Sequence, residues 1–140
     1  MIPYKAINLS DLNDFGKNTL SDHLDMEVTE VAEMHITMRM PVGQKVLQPL
    51  GLLHGGAVAA LAENVGSLAG NLVANTDGKV CVGLSLNTNH LKSVKEGYVY
   101  ATARAIHLGK STQVWEVETK NDNGELINVS RMTMAVLDKK

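Results

Sequence analysis

The strongest constraint on the fold is that helical periodicity persists through only one long stretch of the chain. From Gln48 to Gly70 the sequence reads QPLGLLHGGAVAALAENVGSLAG. From Gly55 to about Val73 it has the composition of a buried helix, and Leu61, Val65, Leu68 and Leu72 recur at helical spacing as the stripe predicted to pack against the rest. Almost everything else alternates with period two. DMEVTEVAEMHITMRMPV places Met34, Ile36, Met38 and Met40 on one face and His35, Thr37 and Arg39 on the other until Pro41, predicting one or two strands. VCVGLSLNTNHL, with Val80, Val82, Leu84 and Leu86 on one face, is followed by YVYATARAIH, STQVWEVETK and ELINVSRMTMAVL, separated by KEG, HLGK and NDNG. These predict four consecutive antiparallel strands. A sheet with one face to bury and one long helix to cover it predicts an α+β fold, an antiparallel meander curled around that helix. A short N-terminal helix over LSDLNDFGKNTL, capped by Ser10 and interrupted by Gly16, is predicted as a lid or flank.

The 140 residues suit one domain spanning 1–140. Thirteen basic residues against fifteen acidic give a formal charge of −2 with no like-charge block, so the basic footprint of a nucleic-acid binder is missing. One cysteine, Cys81, rules out an internal disulfide and agrees with a reducing compartment; with no apolar signal core and no apolar run approaching the roughly 18 residues of a spanning helix, the expectation is a cytoplasmic protein with no membrane partner. His23, His35, His54, His90 and His107 lack metal-ligand spacing, so no metal is expected. LGKST at 108–112 resembles a phosphate loop, but its required first glycine would fall at Arg104 and no helix follows. Cys81 has no helix start or base beside it and reads as a strand residue, not a nucleophile.

Glu63 stands in the middle of the apolar helix. Residues three, four or seven places from it include Gly56, Ala59, Ala60, Ser67 and Gly70, a row of the smallest side chains. The ordinary reading of a glutamate is a solvated surface residue, but a surface face carries Lys, Arg, Glu and Gln rather than Ala and Gly. A half-buried carboxylate with no basic residue a turn away is expected to find partners elsewhere or to lie at a functional site. His54-Gly55-Gly56 at the helix start puts two glycines where the N–H groups are free, so a carbonyl oxygen could approach the backbone and the positive end of the helix dipole. A tight turn into a helix is the simpler explanation of the same residues. Gln48 and His54 flank this position. Gly55 and Glu63 are about 12 Å apart along the axis, and a glutamate leaning toward the N-terminus recovers about a third of that. If both act on one carbonyl, they come from different subunits and the site lies at a dimer interface.

QPLGLLHGGAVAALAENVGSLAG, with GLSLNTNHLKS and HLGKSTQVWEVE after it, resembles the hotdog-fold acyl-CoA thioesterases of the phenylacetate-degradation and 4-hydroxybenzoyl-CoA thioesterase type over nearly the whole chain. Within them it is most similar to the 1,4-dihydroxy-2-naphthoyl-CoA hydrolase and enterobactin proofreading thioesterase group. The resemblance implies hydrolysis of an aryl- or other acyl-CoA thioester, or one on a carrier protein, to free acid and thiol. It implies Glu63 as nucleophile or general base, the Gly55 N–H polarising the carbonyl, His54 and Gln48 holding carbonyl or water, and Ser67 assisting hydrolysis. It further implies coenzyme A contacts at Gly83, His90, Lys92, Ser93, Lys110 and Ser111, at strand ends and turns, with the lysines meeting phosphates. No cofactor is implied, since coenzyme A is part of the substrate; a homodimer with shared active sites, paired into a homotetramer, is. The alternatives are a non-catalytic acyl-CoA-binding module of the same fold, which could dispense with Glu63, Gln48 and Ser67, and a hotdog dehydratase, which would use an Asp and His pair.

Overall fold

Alternation becomes a sheet where every second side chain finds the helix. Ile36, Met38 and Met40 are buried while His35, Thr37 and Arg39 between them are only partly so. The computed structural model describes residues Met1–Lys140. In chain order its elements are helices α1 (Leu9–Phe15) and α2 (Leu20–His23), strands β1 (Glu27–Val31) and β2 (His35–Pro41), the long helix α3 (Gly55–Ala74), and strands β3 (Lys79–His90), β4 (Tyr98–Leu108), β5 (Thr112–Asn121) and β6 (Leu126–Asp138). All six strands form one antiparallel sheet in the order β1-β2-β4-β5-β6-β3. It curls around α3 as the pattern predicts.

The core lies between α3 and the concave face of the sheet. Val58, Leu61, Ala62, Val65 and Ala69 meet Val99, Ala101 and Ala103 of β4, Trp115 and Val117 of β5, and Met132 and Met134 of β6. Two glycines set how close the helix lies. A Cβ at Gly66 would stand 2.9 Å from the sulfur of Met132, and one at Gly70 would stand 2.7 Å from that of Met134. Gly70 therefore belongs to the buried side, not to the open row around Glu63 in which the sequence pattern groups it. Leu68 and Leu72 also differ from expectation: they are only partly buried, and Val58, Ala62 and Ala69 complete the packed stripe in their place.

The four last strands are not a simple meander. β4, β5 and β6 are neighbours in order, but β3 crosses to the far edge and pairs with β6, from Lys79 opposite Asp138 to His90 opposite Asn128. Periodicity cannot distinguish these arrangements, since both bury the same faces. A bulge between Gly83 and Ser85 breaks the period within β3. Of the four residues expected to share a face, Leu86 is partly buried while Val82 (45%) and Leu84 (62%) are exposed. Met34, expected in line with Ile36, precedes β2 and is exposed. At the N-terminus Asn8, not Ser10, is the cap: its side chain accepts from the Ser10 N–H at 2.8 Å. Gly16 ends α1, and α2 is a separate turn of helix.

By length and mean hydropathy (1.3) alone the helical stretch Gly55–Asp77 resembles a membrane-crossing helix, but half of its most apolar window is buried inside the fold. A helix wrapped by a sheet needs the same apolarity as one wrapped by lipid.

Candidate active site

The start of α3 is anchored before it begins. The Leu53 N–H donates to the carbonyl of Val94 (2.7 Å) and the His54 N–H to that of Val46 (2.8 Å). His54 then caps the helix: its Nδ1 accepts from the Gly56 N–H at 2.8 Å, and its carbonyl accepts from Ala57 (3.0 Å) and Val58 (3.3 Å). Of the four first-turn N–H groups that a helix leaves unpaired, three are thereby used. The Gly55 N–H alone donates to nothing in the chain. It lies at the positive end of the α3 dipole. Because Nδ1 of His54 is an acceptor, the neutral ring carries its proton on Nε2, which remains an outward donor.

The Gly55 Cα is roofed by His90, at the end of β3. A Cβ at Gly55 would stand 2.7 Å from Nε2 of that ring. His90 is held in turn by Asn128, whose Nδ2 lies 3.2 Å from its Nδ1 and 2.7 Å from the hydroxyl of Thr88, with Ser130 bonding both Thr88 and Asn128. Asn128 and Ser130 are buried polar residues with no signal in the sequence period, and they fix the ring that packs against Gly55.

Glu63 faces β3 well before His90. Its Oε1 would stand 2.6 Å from a Cβ at Gly83, so glycine there makes room for the carboxylate. Within the chain the Glu63 carboxylate is exposed and makes no hydrogen bond or ion pair, which corrects the expected half-burial. It lines a recess of about 390 Å³ with Ala59, Ala60, Ser67 and Leu86. The Ser67 hydroxyl, one turn on, is likewise without a partner, although its carbonyl accepts from Asn71 at 2.9 Å. Gln48 lies in the tight turn before α3, where its Oε1 accepts from the Leu50 N–H and its amide nitrogen is free.

The six residues matched to coenzyme contacts fall into separate places. His90, Lys92 and Ser93 lie at the end of β3 and just beyond it, while Lys110 and Ser111 form the β4–β5 turn. The carbonyl of Ser111 accepts from Val136, which pairs with Cys81 near the start of β3. Cys81 and His90 are about 30 Å apart along a strand at about 3.3 Å per residue, so one chain does not bring these groups together. Gly83 is in mid-strand, not at a strand end as expected. Lys92 is not free: it is ion-paired with Glu125, whose carboxyl is held below the usual range by hydrogen bonds from Lys92 and Asn121. The LGKST segment is the β4–β5 hairpin turn, closed by the Gly109 N–H donating to the Thr112 carbonyl at 2.8 Å. Burial pushes the Cys81 thiol up from its ordinary value, away from thiolate chemistry. No three His, Cys, Asp or Glu side chains converge as a metal would require.

With this geometry in place, comparison with known proteins is direct. The Thioesterase superfamily pattern matches residues 50–128. A 1,4-dihydroxy-2-naphthoyl-CoA hydrolase of Escherichia coli is 40% identical over 137 residues, 98% of this chain and 100% of that protein. A proofreading thioesterase of Cronobacter turicensis is 38% identical over 137 residues, 98% of this chain and 99% of that one. The crystal structure of a thioesterase from Haemophilus influenzae superposes with a TM-score of 0.94 at 41% identity, covering 99% of this chain and 96% of the other.

Proposed function

The chain belongs to the thioesterase superfamily, and from that membership, its hotdog fold and its place among thioester hydrolases we propose that it is an acyl-CoA thioesterase working as a dimer with shared active sites. One observation carries the proposal. α3 offers a single unpaired N–H at Gly55 and a single unpaired carboxylate at Glu63, about 12 Å apart along one helix. Each is half of a site, and two copies supply both halves to one carbonyl.

The substrate carbonyl oxygen accepts from the Gly55 N–H, where the helix dipole and the Nε2–H of His54 stabilise the negative charge that develops as the carbonyl carbon becomes tetrahedral. The amide nitrogen of Gln48 is a further donor for that oxygen or for water. The partner subunit's Glu63 attacks the carbon as nucleophile or removes the proton of an attacking water, and Ser67 orients water for the hydrolytic step. In either case the C–S bond breaks, the thiol leaves as coenzyme A or a carrier's pantetheine arm, and the acid is released. The whole chain acts as one hotdog domain that needs no cofactor of its own, in the cytoplasm.

The edge strand β3 supports pairing. From Val80 to Asn89 it carries neither charge nor proline, and Val82 and Leu84 are exposed on it. Antiparallel pairing of β3 with its copy brings the start of one strand beside the end of the other. That would join Lys110 and Ser111 of one subunit to His90, Lys92 and Ser93 of its partner around one coenzyme, with Gly83 beside Glu63. Pairing of dimers into a tetramer is proposed on the family resemblance alone.

Release of free thiol from a panel of aryl- and alkyl-CoA thioesters tests the assignment. Glu63→Gln is expected to lower kcat by about 10³-fold or more while the oligomer stays intact. Turnover near the wild-type level in that variant overturns the assignment.

A further inference from the structure

Resting on the thioesterase reading, we propose that Asn128 is a positioning residue: it holds the imidazole of His90 with its proton on Nε2, and that donor binds the first amide carbonyl of the substrate's pantetheine arm. Asn128 and Ser130 lie on the concave face of β6 in line with Met132 and Met134, and all four are buried. An apolar side chain would serve packing at either place, whereas a buried amide or hydroxyl costs stability unless its hydrogen-bonding groups are paired. Strand register sets Asn128 opposite His90 and Ser130 opposite Thr88.

Counting protons shows what these groups do. The Asn128 amide nitrogen has a pair of protons and a pair of neighbours, the Thr88 hydroxyl at 2.7 Å and Nδ1 of His90 at 3.2 Å. The single proton of the Ser130 hydroxyl goes to Oδ1 of Asn128 at 2.7 Å. The Thr88 hydroxyl, 2.9 Å from that of Ser130, then donates to it and closes a ring of bonds. The bond that leads out of the ring is the one to His90. Because Nδ1 accepts it, the neutral imidazole carries its proton on Nε2. Turning the amide over would reverse every bond and move that proton to Nδ1, so buried side chains set the tautomer of an exposed histidine.

The donor is placed for a particular part of the substrate. Nε2 lies 2.7 Å from where a Cβ would stand on Gly55, and so within about 4 Å of the Gly55 Cα once a bond of about 1.5 Å is added. With the thioester oxygen on the Gly55 N–H, the first amide of a pantetheine arm begins about three bonds, or about 4 Å, beyond the sulfur. Its carbonyl oxygen is the acceptor within reach of Nε2. The phosphates of coenzyme A lie much farther along the arm, and they call for charge, as on a lysine, rather than for a neutral N–H.

The test has a spectroscopic and a kinetic arm. In nitrogen NMR of the histidine-labelled chain at about pH 8, above the ordinary histidine range, His90 is assigned by its loss in His90→Gln. The wild type is expected to show Nε2 protonated and Nδ1 bare, and Asn128→Asp, which offers Nδ1 only an acceptor, to protonate Nδ1. A protonated Nδ1 in the wild type overturns the proposal. In the kinetic arm, Asn128→Leu is expected to lower kcat/KM about tenfold, the worth of one neutral hydrogen bond, for benzoyl-CoA and for S-benzoyl-N-acetylcysteamine, which keeps the first amide and lacks the phosphates. Ethyl thiobenzoate, which lacks both, should be unaffected. Added to His90→Ala, the Asn128 substitution should change nothing further. No loss on benzoyl-CoA, a loss confined to it, equal losses on all three thioesters, or an undiminished loss in the His90→Ala background each overturn the proposal. Thr88→Val, which opens the same ring of bonds, carries these expectations if Asn128→Leu does not fold. Full turnover in Glu63→Gln overturns the thioesterase reading whatever the Asn128 variants do.

Discussion

The two edges of the sheet are built to opposite ends. β1 is five residues long, carries Glu27 and Glu30, and contains a bulge between Val28 and Glu30. Asn13 of α1 also covers the N–H and C=O of Val28 with its own amide, at 2.8 and 3.2 Å. β3 is twelve residues long and uncharged over most of its length. It has one matching cap, Asn71 of α3 on the N–H and C=O of Cys81, at 2.8 and 3.0 Å, but from Gly83 onward no side chain covers it in the same way. An edge with free backbone groups and exposed apolar side chains is a template for another strand, and proteins that do not use such an edge blunt it. The molecule blunts one edge by short length, charge, a bulge and a covering side chain, and leaves the other open beside Gly83 and Glu63. On the proposed function, assembly and catalysis meet at the same strand.

The largest effect is expected from closing the open edge. Val82→Lys with Leu84→Lys places like charges opposite one another in an antiparallel pair, and should convert dimer to monomer by light scattering and lower kcat/KM by about 10²-fold or more. Glu27→Gln with Glu30→Gln on β1 should change neither. A charged β3 that still dimerises, or a fully active monomer, would break the contrast between the edges. The caps give a smaller effect. Asn71→Ala and Asn13→Ala each leave a strand N–H and C=O unpaired and should cost about 1–3 kcal/mol in urea unfolding. The larger loss is expected for Asn71, which also donates to Ser67. Equal and negligible losses would mean that water replaces both caps.

The smallest effect concerns Lys92, just beyond the open strand. The Glu125 carboxyl is depressed by its hydrogen bonds with Lys92 and Asn121, so in the folded state it titrates lower than in the unfolded chain. Its contribution to stability is therefore present above the ordinary carboxylate range and is lost as pH falls through the depressed value. Lys92→Met should lower Tm slightly at neutral pH, and the difference should vanish in acid. A difference that persists in acid would assign the loss to packing rather than to the ion pair.

Much of this was legible in the residues. The placement of α3, of the four strands after it and of one or two strands before it follows from a change of period, because burial on a helix and burial on a strand select different spacings. Glu63 was legible as an anomaly among small side chains. The crossing of β3 was not, because alternation records which face is buried and not which strand lies alongside. Asn128 and Ser130 gave no signal either: their partners Thr88 and His90 lie about forty positions away and meet them only through strand pairing.

By itself the sequence determined the covered helix, the positions of the strands and the chemical types at the start and middle of α3, since these depend on side-chain polarity at short spacing. Tertiary structure alone decided that the Gly55 N–H is the one left free, that Leu68 and Leu72 are only partly buried against the core, and that β3 lies at an edge. Each of these depends on which distant groups are brought within hydrogen-bonding or van der Waals distance, and local periodicity carries no record of that.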